Sequence, residues 1–406
     1  MFLLKKLLPA RKIAIINIWT FKVKVTICEI KWDCFKVIWY SEKRQDKNNF
    51  EHWEISNISS VCESIKTTLQ KACKWICSEP REIVINYPSS FCFPEINEIN
   101  YKRQKISSTI QDDEFTKIIE KAEEFSLKKA QRDIFKKTGF SDIDQKLIYS
   151  SINEITLDWW RINNPIWERW ENVKVNILNI FSSQSKFNII KSIWKILNKK
   201  ILFIIPNETA IPKISNLHKN SIFVDFWNSK TRIIISEWWK NIWFNILDIW
   251  IEHLISQISS KYWKTRQEVI SWFDSDSFAE EKSIFLETWI EWVKIAIKDL
   301  NIGKVTPSEM VLSWWWWKNL FVQKTITSKS FWRNIWTNEE IKIINKEIKN
   351  SLPDLIKKNN IEINTFFSEN INFNVLSQII ATKEMINTKN DIVIETLKKV
   401  LEKIRY

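Results

Sequence analysis

The chain has 406 residues, enough for roughly two to four compact domains and too long to need disulfide staples for a core. Lysine and arginine number 61 against 48 acidic residues, a net charge of +13, which suits an acidic partner or an anionic surface without demanding either. Two glycines stand beside 25 tryptophans, where ordinary usage would give roughly 28 glycines, so the letters as they stand exclude an ordinary globular composition.

Met1 to Leu8 is apolar around Lys5 and Lys6, but Pro9, Arg11 and Lys12 cut it short of a signal peptide or a spanning helix, leaving 1–11 as a leader. No later run approaches transmembrane length. Cys28, Cys34, Cys62, Cys73, Cys77 and Cys92 fall in the first quarter without paired metal spacing, and read as reduced, buried thiols in a cytosolic protein. Three β-like runs follow the leader, Lys12 to Ile18, Phe21 to Ile30 and Cys34 to Tyr40. A helix near Asn57 to Cys77 and a strand at Arg81 to Tyr87 complete the first series.

Next comes extra material. Asp112 to Thr138 predicts a long charged helix that stops at Gly139, a residue suited to the position after a helix end. Strand-like Lys146 to Leu157 and Glu171 to Phe181 enclose a turn-rich stretch through Asn164-Pro165, and together these form a small α/β insert. A helix at Gln184 to Lys199 and a strand at Ile201 to Ile205 resume the first lobe.

A second series then begins, with strands at Ser221 to Phe226, Thr231 to Ser236 and Asn241 to Asp248. Helical stretches run from Ile251 and around Glu280 to Leu300, before the apolar run Met310 to Ser313. Ile16-Asn17-Ile18-Trp19-Thr20-Phe21-Lys22 aligns in kind with Val224-Asp225-Phe226-Trp227-Asn228-Ser229-Lys230. A strand meander followed by a helix, made twice, predicts an internally duplicated α/β protein of two lobes. The expected divisions are 12–80 and 182–218 for the first lobe, 81–181 for the inserted subdomain, 219–335 for the second lobe, 336–390 for a return and linker, and 391–406 for a terminal helix.

Many tryptophans sit where backbones turn, including Trp19, Trp32, Trp167, Trp170 and Trp227, and Trp314 to Trp317 stand in a row. Such positions call for a positive φ or a missing Cβ, which glycine supplies. With an Ile-, Lys- and Asn-rich composition typical of AT-rich coding, the expectation is that most of these tryptophans are UGA codons read as glycine in the cell. The alternative is a true aromatic-rich binder that stacks sugars or single-stranded nucleic acid on indole faces.

A hairpin turn without side chains lets consecutive N–H groups close on phosphate oxygens, and an acid ending the preceding strand can hold Mg²⁺ through water. The candidates are Asn17-Ile18-Trp19-Thr20, with Lys22 beyond it, and Asp225-Phe226-Trp227-Asn228-Ser229. Each alone is also consistent with an ordinary β-turn; two of them facing one another would clamp a nucleotide's phosphates. Ser313 with Trp314, Trp315 and Trp316, read as glycines before a helix, would let a flat ring and its sugar lie on bare backbone. The other readings of this stretch are a flexible loop or a hydrophobic plug. His52, His218 and His253 are far apart, and neither a catalytic triad nor a basic and aromatic groove for nucleic acid stands out.

These motifs resemble the superfamily of actin, sugar kinases and heat-shock chaperone ATPases, and within it the bacterial cell-division FtsA family. That family's first phosphate loop, Asp-Ile-Gly-Thr followed by Lys, is matched by Asn17 to Thr20 and Lys22. Its second, Val-Asp-Ile-Gly-Gly-Gly-Thr-Thr, is matched by Val224 to Ser229 with Thr231, and its adenosine motif Val-Leu-Thr-Gly-Gly by Val311 to Trp315. The insert follows the first long helix, as in FtsA and the pilus protein PilM, rather than preceding it as in actin and MreB. The resemblance implies an actin-like (RNase H-like) ATPase fold, ATP and Mg²⁺ as ligands, and Asp225 as holder of the Mg²⁺ water, with no direct protein ligand to the metal. Asn17 replaces the usual acid of the first loop, and Ile205-Pro206 stands where Glu-Pro is common, which implies weak or absent hydrolysis. The implied partners are the FtsZ C-terminal peptide, further copies of the chain in a filament, and the inner face of the cell membrane. A PilM-like scaffold with a pilus or division membrane protein as partner is the second reading, and a metabolic kinase, whose carboxylate base has no candidate, the third.

At about 100° per residue, Val393, Ile394, Leu397, Val400, Leu401 and Ile404 share one face of a helix over 391–406, with Lys403 on one edge and Lys398 and Arg405 on the other. Basic edges snorkel toward anionic headgroups while the stripe enters the acyl boundary; the same stripe also suits docking on the protein's own core.

Overall fold

The computed structural model describes residues 10–18, 22–31, 34–46, 49–51, 54–76, 78–87, 92–104, 106–139, 144–217, 220–226, 231–237, 240–247, 251–272, 277–300, 307–312, 342–370, 373–387 and 398. The chain divides into two units, residues 1–214 with 353–406 and residues 215–352.

The first unit is built on a six-stranded sheet. Strands β1 (Arg11–Ile18), β2 (Lys22–Lys31) and β3 (Cys34–Arg44) form an antiparallel meander, and β6 (Glu82–Tyr87) and β11 (Lys200–Pro206) continue from β1 in parallel. A late strand, β17 (Ile361–Ile363), pairs in parallel with β3 at the opposite edge. Ile13 through Ile18 are all buried, as an interior strand covered on both faces requires, and this explains its unbroken run of apolar residues around Asn17. Two short strands, β4 (Phe50–Glu51) and β5 (Glu54–Ile55), lead into helix α1 (Ile58–Ile76). The helix starts where Asn57 Oδ1 accepts the N–H of Ser60 at 3.0 Å, an N-cap bond. Val61, Cys62, Ile65, Leu69 and Ala72 line its buried face, which packs on β2 and β3.

The insert is an antiparallel sheet in the order β7 (Phe93–Lys102), β10 (Asn172–Ser183), β8 (Gln145–Leu157), β9 (Trp160–Ile162), with helix α2 (Asp112–Thr138) against it. Because Glu82–Tyr87 pairs with β1 in the main sheet, the inserted sheet itself runs from Phe93 to Ser183. Three acids in the first turn of α2 oppose the helix dipole. Its end is closed by Gly139 at φ 74°, whose N–H donates to Phe135 O at 2.8 Å, the left-handed cap expected of that glycine. Arg103, with a fully buried side chain, makes two 2.8 Å bonds to the carboxylate of Glu114 and ties the end of β7 to the start of α2.

Helix α3 (Gln184–Leu197) returns the chain to the main sheet, and the one-turn α4 (Asn207–Ala210) follows β11. The second unit repeats the plan: β12 (Asn220–Phe226), β13 (Thr231–Glu237) and β14 (Lys240–Leu247) form a meander, and β15 (Glu309–Leu312) and β16 (Lys342–Ile343) extend it in parallel from β12. Helices α5 (Ile251–Tyr262), α6 (Arg266–Ser271) and α7 (Ala279–Leu300) connect β14 to β15, and α8 (Asn345–Lys358) follows β16. The unit's core unites Ile222, Val224, Ile233 and Ile235 with Leu254, Ile258, Trp289, Val293 and Ile297. Helix α9 (Phe373–Asn387) packs in the first unit against α4, β11 and β1.

Five cysteines lie among the described residues and none is bonded to another. Burial raises Cys28 to about 12 and Cys62 to about 11, which keeps both as inert thiols.

Candidate functional site

In the first unit, three parallel strands end side by side and each brings an amide to its end. Asn17 of β1 is in register with Asn86 of β6, which is in turn in register with Ile205 of β11, two residues before Asn207. All three asparagines are buried. Ligands of open α/β sheets gather at such carboxyl ends. Gln378 of α9 joins two of them: Asn17 Nδ2 donates to Gln378 Oε1 at 3.3 Å, and Gln378 Nε2 donates to Asn207 Oδ1 at 3.2 Å. Asn17 Oδ1 and both polar side-chain atoms of Asn86 make no hydrogen bond. No acid takes part in this chain of amides.

Across the hairpin, Asn17 is in register with Lys24 of β2, so both side chains lie on one face of the sheet. Lys24 is buried, and its pKa is lowered to about 8, first by burial and then by neighbouring Lys22, against the attraction of Glu42. Lys22 itself is partly exposed and bonded to Glu42 at 2.8 Å. Glu42 also accepts from Tyr40 at 3.1 Å.

The duplicated position in the second unit is Asp225 on β12, in register with Arg232 on β13. Both are buried, and Arg232 Nη1 lies 2.9 Å from Asp225 Oδ2. Beside them Thr231, also buried, accepts a 3.0 Å bond from the indole Nε1 of Trp289 on α7. At the end of β15, Asn345 Oδ1 accepts the N–H of Leu312 at 2.8 Å, and its amide donates back to Leu312 O. This fixes the strand end that precedes Ser313.

Of the sequence candidates, Asn17, Lys22 and Asp225 are placed by these contacts. Trp19, Thr20, Trp227, Asn228, Ser229, Ser313, Trp314, Trp315 and Trp316 lie outside the described residues, as do Val393, Ile394, Leu397, Val400, Leu401 and Ile404 of the tail stripe. His253, on α5, is exposed. Sequence reasoning missed Lys24, Asn86, Asn207, Arg232 and Gln378. The available signals were register, which sets a basic residue seven positions after each hairpin's Asn17 or Asp225, and polar side chains at Asn374, Gln378 and Thr382, spaced by four along an otherwise apolar helix.

Among the described residues, neither strand end offers a direct carboxylate ligand for Mg²⁺ that is not already bonded, and the expected role of Asp225 is through water. Magnesium wants oxygen ligands that include free carboxylates, whereas Asn17 is an amide and Asp225 is held by a guanidinium. Among the described residues no group of three His, Cys, Asp or Glu is placed to hold a metal, and no helix is long and apolar enough to cross a membrane.

No family model matches the sequence, and no curated protein matches it. Among solved structures, the chain is similar to a chain of the PilM–PilN type IV pilus biogenesis complex, with TM-score 0.58 and 10% identity over 92% of this chain and 99% of that one. Looser similarities are to the ethanolamine utilization protein EutJ from Carboxydothermus hydrogenoformans, with TM-score 0.43 and 9% identity over 83% and 86%, and to a Bacteroides thetaiotaomicron protein with actin-like ATPase fold, with TM-score 0.38 and 8% identity over 84% and 95%. Duplicated meanders, each extended in parallel and joined by helices, give this chain the two-lobed α/β fold of the actin-like ATPases.

Proposed function

We propose that the chain is a nucleotide-binding, non-hydrolysing or slowly hydrolysing actin-like scaffold that works at the inner face of the cell membrane through a peptide segment of a partner. The observation that carries this reading is the repeated strand end, Asn17 in one unit and Asp225 in the other, each leading into a hairpin matched to a phosphate loop. Loss of the acid at position 17 argues for binding without turnover. ATP turnover that is no faster in Asn17→Asp than in the parent removes the assigned role of Asn17.

Two partner classes fit the fold. A PilM-like role is favoured by the similarity across nearly the whole of the pilus-complex chain; an FtsA-like division role, with filaments that tether FtsZ, is favoured by the stripe Val393, Ile394, Leu397, Val400, Leu401 and Ile404 with its basic edges. Capture of the host's FtsZ C-terminal peptide, with flotation on anionic vesicles that is lost when 391–406 is deleted, supports the division role. Capture of a cytoplasmic segment of a pilus membrane protein, with flotation indifferent to that deletion, supports the other.

The reading also includes UGA-encoded glycine at most tryptophan positions. Trp167 and Trp263 adopt φ of 73° and 54°, the left-handed region that favours glycine. Trp263 and Trp159 are 94% and 88% exposed, against 2% for Trp289, so indoles at the first two positions gain almost nothing from burial. The intact mass of protein purified from its own cells tests this, since each glycine removes a whole indole side chain.

A further inference from the structure

The insert buries a polar layer in the middle of its own core. On the side that faces α2, strand β10 presents Val173, Val175 and Ile177 to one apolar cluster and Phe181 to another, with Asn179 between them. Helix α2 follows the same order. Ile118, Ile119 and Ala122 belong to the first cluster and Leu127 and Ala130 to the second, with Glu123 and Ser126 between. Asn179 is in register with Glu95 of β7 and with Ser150 of β8, so the layer crosses three strands.

Its β7 end is closed by bonds. Lys129 Nζ lies 2.9 Å from Glu95 Oε2 and donates to Asn97 Oδ1 at 3.1 Å, and Asn97 Nδ2 donates to Ser126 Oγ at 3.0 Å. At the β8 end Ser150 donates to Asn179 Oδ1 at 2.7 Å, but Asn179 Nδ2 and both carboxyl oxygens of Glu123 make no hydrogen bond. Glu123 is only 3% exposed. Of the charged groups around it, Glu120 lies one turn earlier on α2 and Glu95 of β7 is neutralised by Lys129, while β10 and β8 bring the uncharged Asn179 and Ser150 to the layer. Burial holds the Glu123 carboxyl up at about 8, against the pull of the nearby Ser150 hydroxyl and with Glu120 adding to the rise. Once ionised, it is a buried charge without a counterion, and it regains water only if α2 lifts from the sheet.

We propose that Glu123 is a proton-operated latch of the insert: neutral, it lets α2 lie closed across the sheet, and ionised, it opens the seam between the two apolar clusters to water while the second unit stays closed. The latch does not depend on whether the chain binds nucleotide.

The test is hydrogen exchange of the full chain at pH 7 and pH 9, read by mass spectrometry and normalised for the intrinsic pH dependence of exchange. Amides of α2 around Glu123 are expected to lose about tenfold in protection between the two, and those of β12 less than about twofold. In Glu123→Gln the α2 amides are expected to keep their protection at pH 9 within about twofold. Glu120→Gln changes only a half-buried position of α2, so it reads the same latch without touching the buried layer. It is expected to move the onset of the loss to lower pH, since a like charge beside Glu123 is removed. Potassium chloride and choline chloride at equal ionic strength are expected to give the same result. Protection of α2 that is unchanged at pH 9, an equal loss in β12, a loss that persists in Glu123→Gln, an onset that fails to fall in Glu120→Gln, or closure restored by potassium each overturn the inference, the last because a bound cation would then be the latch.

Discussion

The two units handle buried charge in opposite ways. In the second, Asp225 and Arg232 satisfy each other at 2.9 Å across adjacent strands. In the first, the equivalent acid has become Asn17, which is knitted by Gln378 to Asn207, while Lys24 stays buried on the same face with a pKa lowered to about 8. A second charge in the first unit's insert is strained likewise. Burial raises Glu123 to about 8 against the pull of Ser150, and nearby Glu120 pushes it the same way as burial. The backbone plan recurs in both units while the charges at its paired positions differ, Asp225 and Arg232 in one and Asn17 and Lys24 in the other.

The largest expected effect breaks the paired half. Asp225→Ala leaves Arg232 buried without its carboxylate and should destabilise by about 3–5 kcal/mol, read as a lower urea midpoint. Asn17→Asp should do the reverse in the first unit, raising the Lys24 pKa toward its ordinary value by giving it an anion across the strand pair. If both substitutions change stability in the same direction, the equivalence of the two pairs fails.

The first unit predicts an unusual pH profile. Glu123 has a folded pKa raised from 4.5 to about 8, so its contribution is fully present below 4.5 and is lost as pH climbs to about 8. Lys24 has a folded pKa lowered from 10.5 to about 8, so its contribution is present above 10.5 and is lost as pH falls to about 8. The two together place a local stability minimum near pH 8, with the acid limb worth about 5 kcal/mol and the alkaline limb about 3 kcal/mol. Glu123→Gln should flatten the acid limb and Lys24→Met the alkaline limb in urea midpoints measured across pH. A profile unchanged by either substitution removes the contrast between the units.

A smaller effect concerns the amide chain. Gln378→Leu leaves Asn17 and Asn207 without their shared partner inside the unit and should destabilise by about 2 kcal/mol, with no pH dependence because no titrating group is removed.

The strands around both hairpins were legible because β-branched runs between turn residues have one easy structural solution. Thus Lys12 to Ile18 and Ser221 to Phe226 became β1 and β12 with shifts of a residue at their ends. Helix α2 was legible to the residue, because three acids open it and Gly139 closes it. Phe93–Lys102 was not anticipated as a strand: Pro94 and the acids Glu95 and Glu98 disguise it, and the proline is tolerated because this is an edge strand. The candidate site was legible only along the chain. Asn17 and Asp225 announce themselves beside the turn, but Gln378 lies 361 positions from Asn17, and only the packing of α9 brings it there. Arg232 was hidden differently: its role depends on strand register, which alternation alone does not fix.

The smallest expected effects fall at tryptophans that the fold merely tolerates, set against one that it uses. Trp289 is buried in the second unit's core and donates to Thr231 at 3.0 Å beside Arg232, so Trp289→Gly should open a cavity and unfold that unit readily. Trp167 and Trp263 hold left-handed backbone and leave their rings largely in solvent. A side chain in that conformation is penalised by about 1–2 kcal/mol, partly offset by the greater chain entropy that glycine loses on folding. Trp167→Gly and Trp263→Gly should therefore stabilise by up to about 1 kcal/mol each. Calorimetry on the single variants distinguishes the classes by sign, and a loss of stability at both exposed positions would mean that indole, rather than a bare backbone, is what those turns were selected to carry.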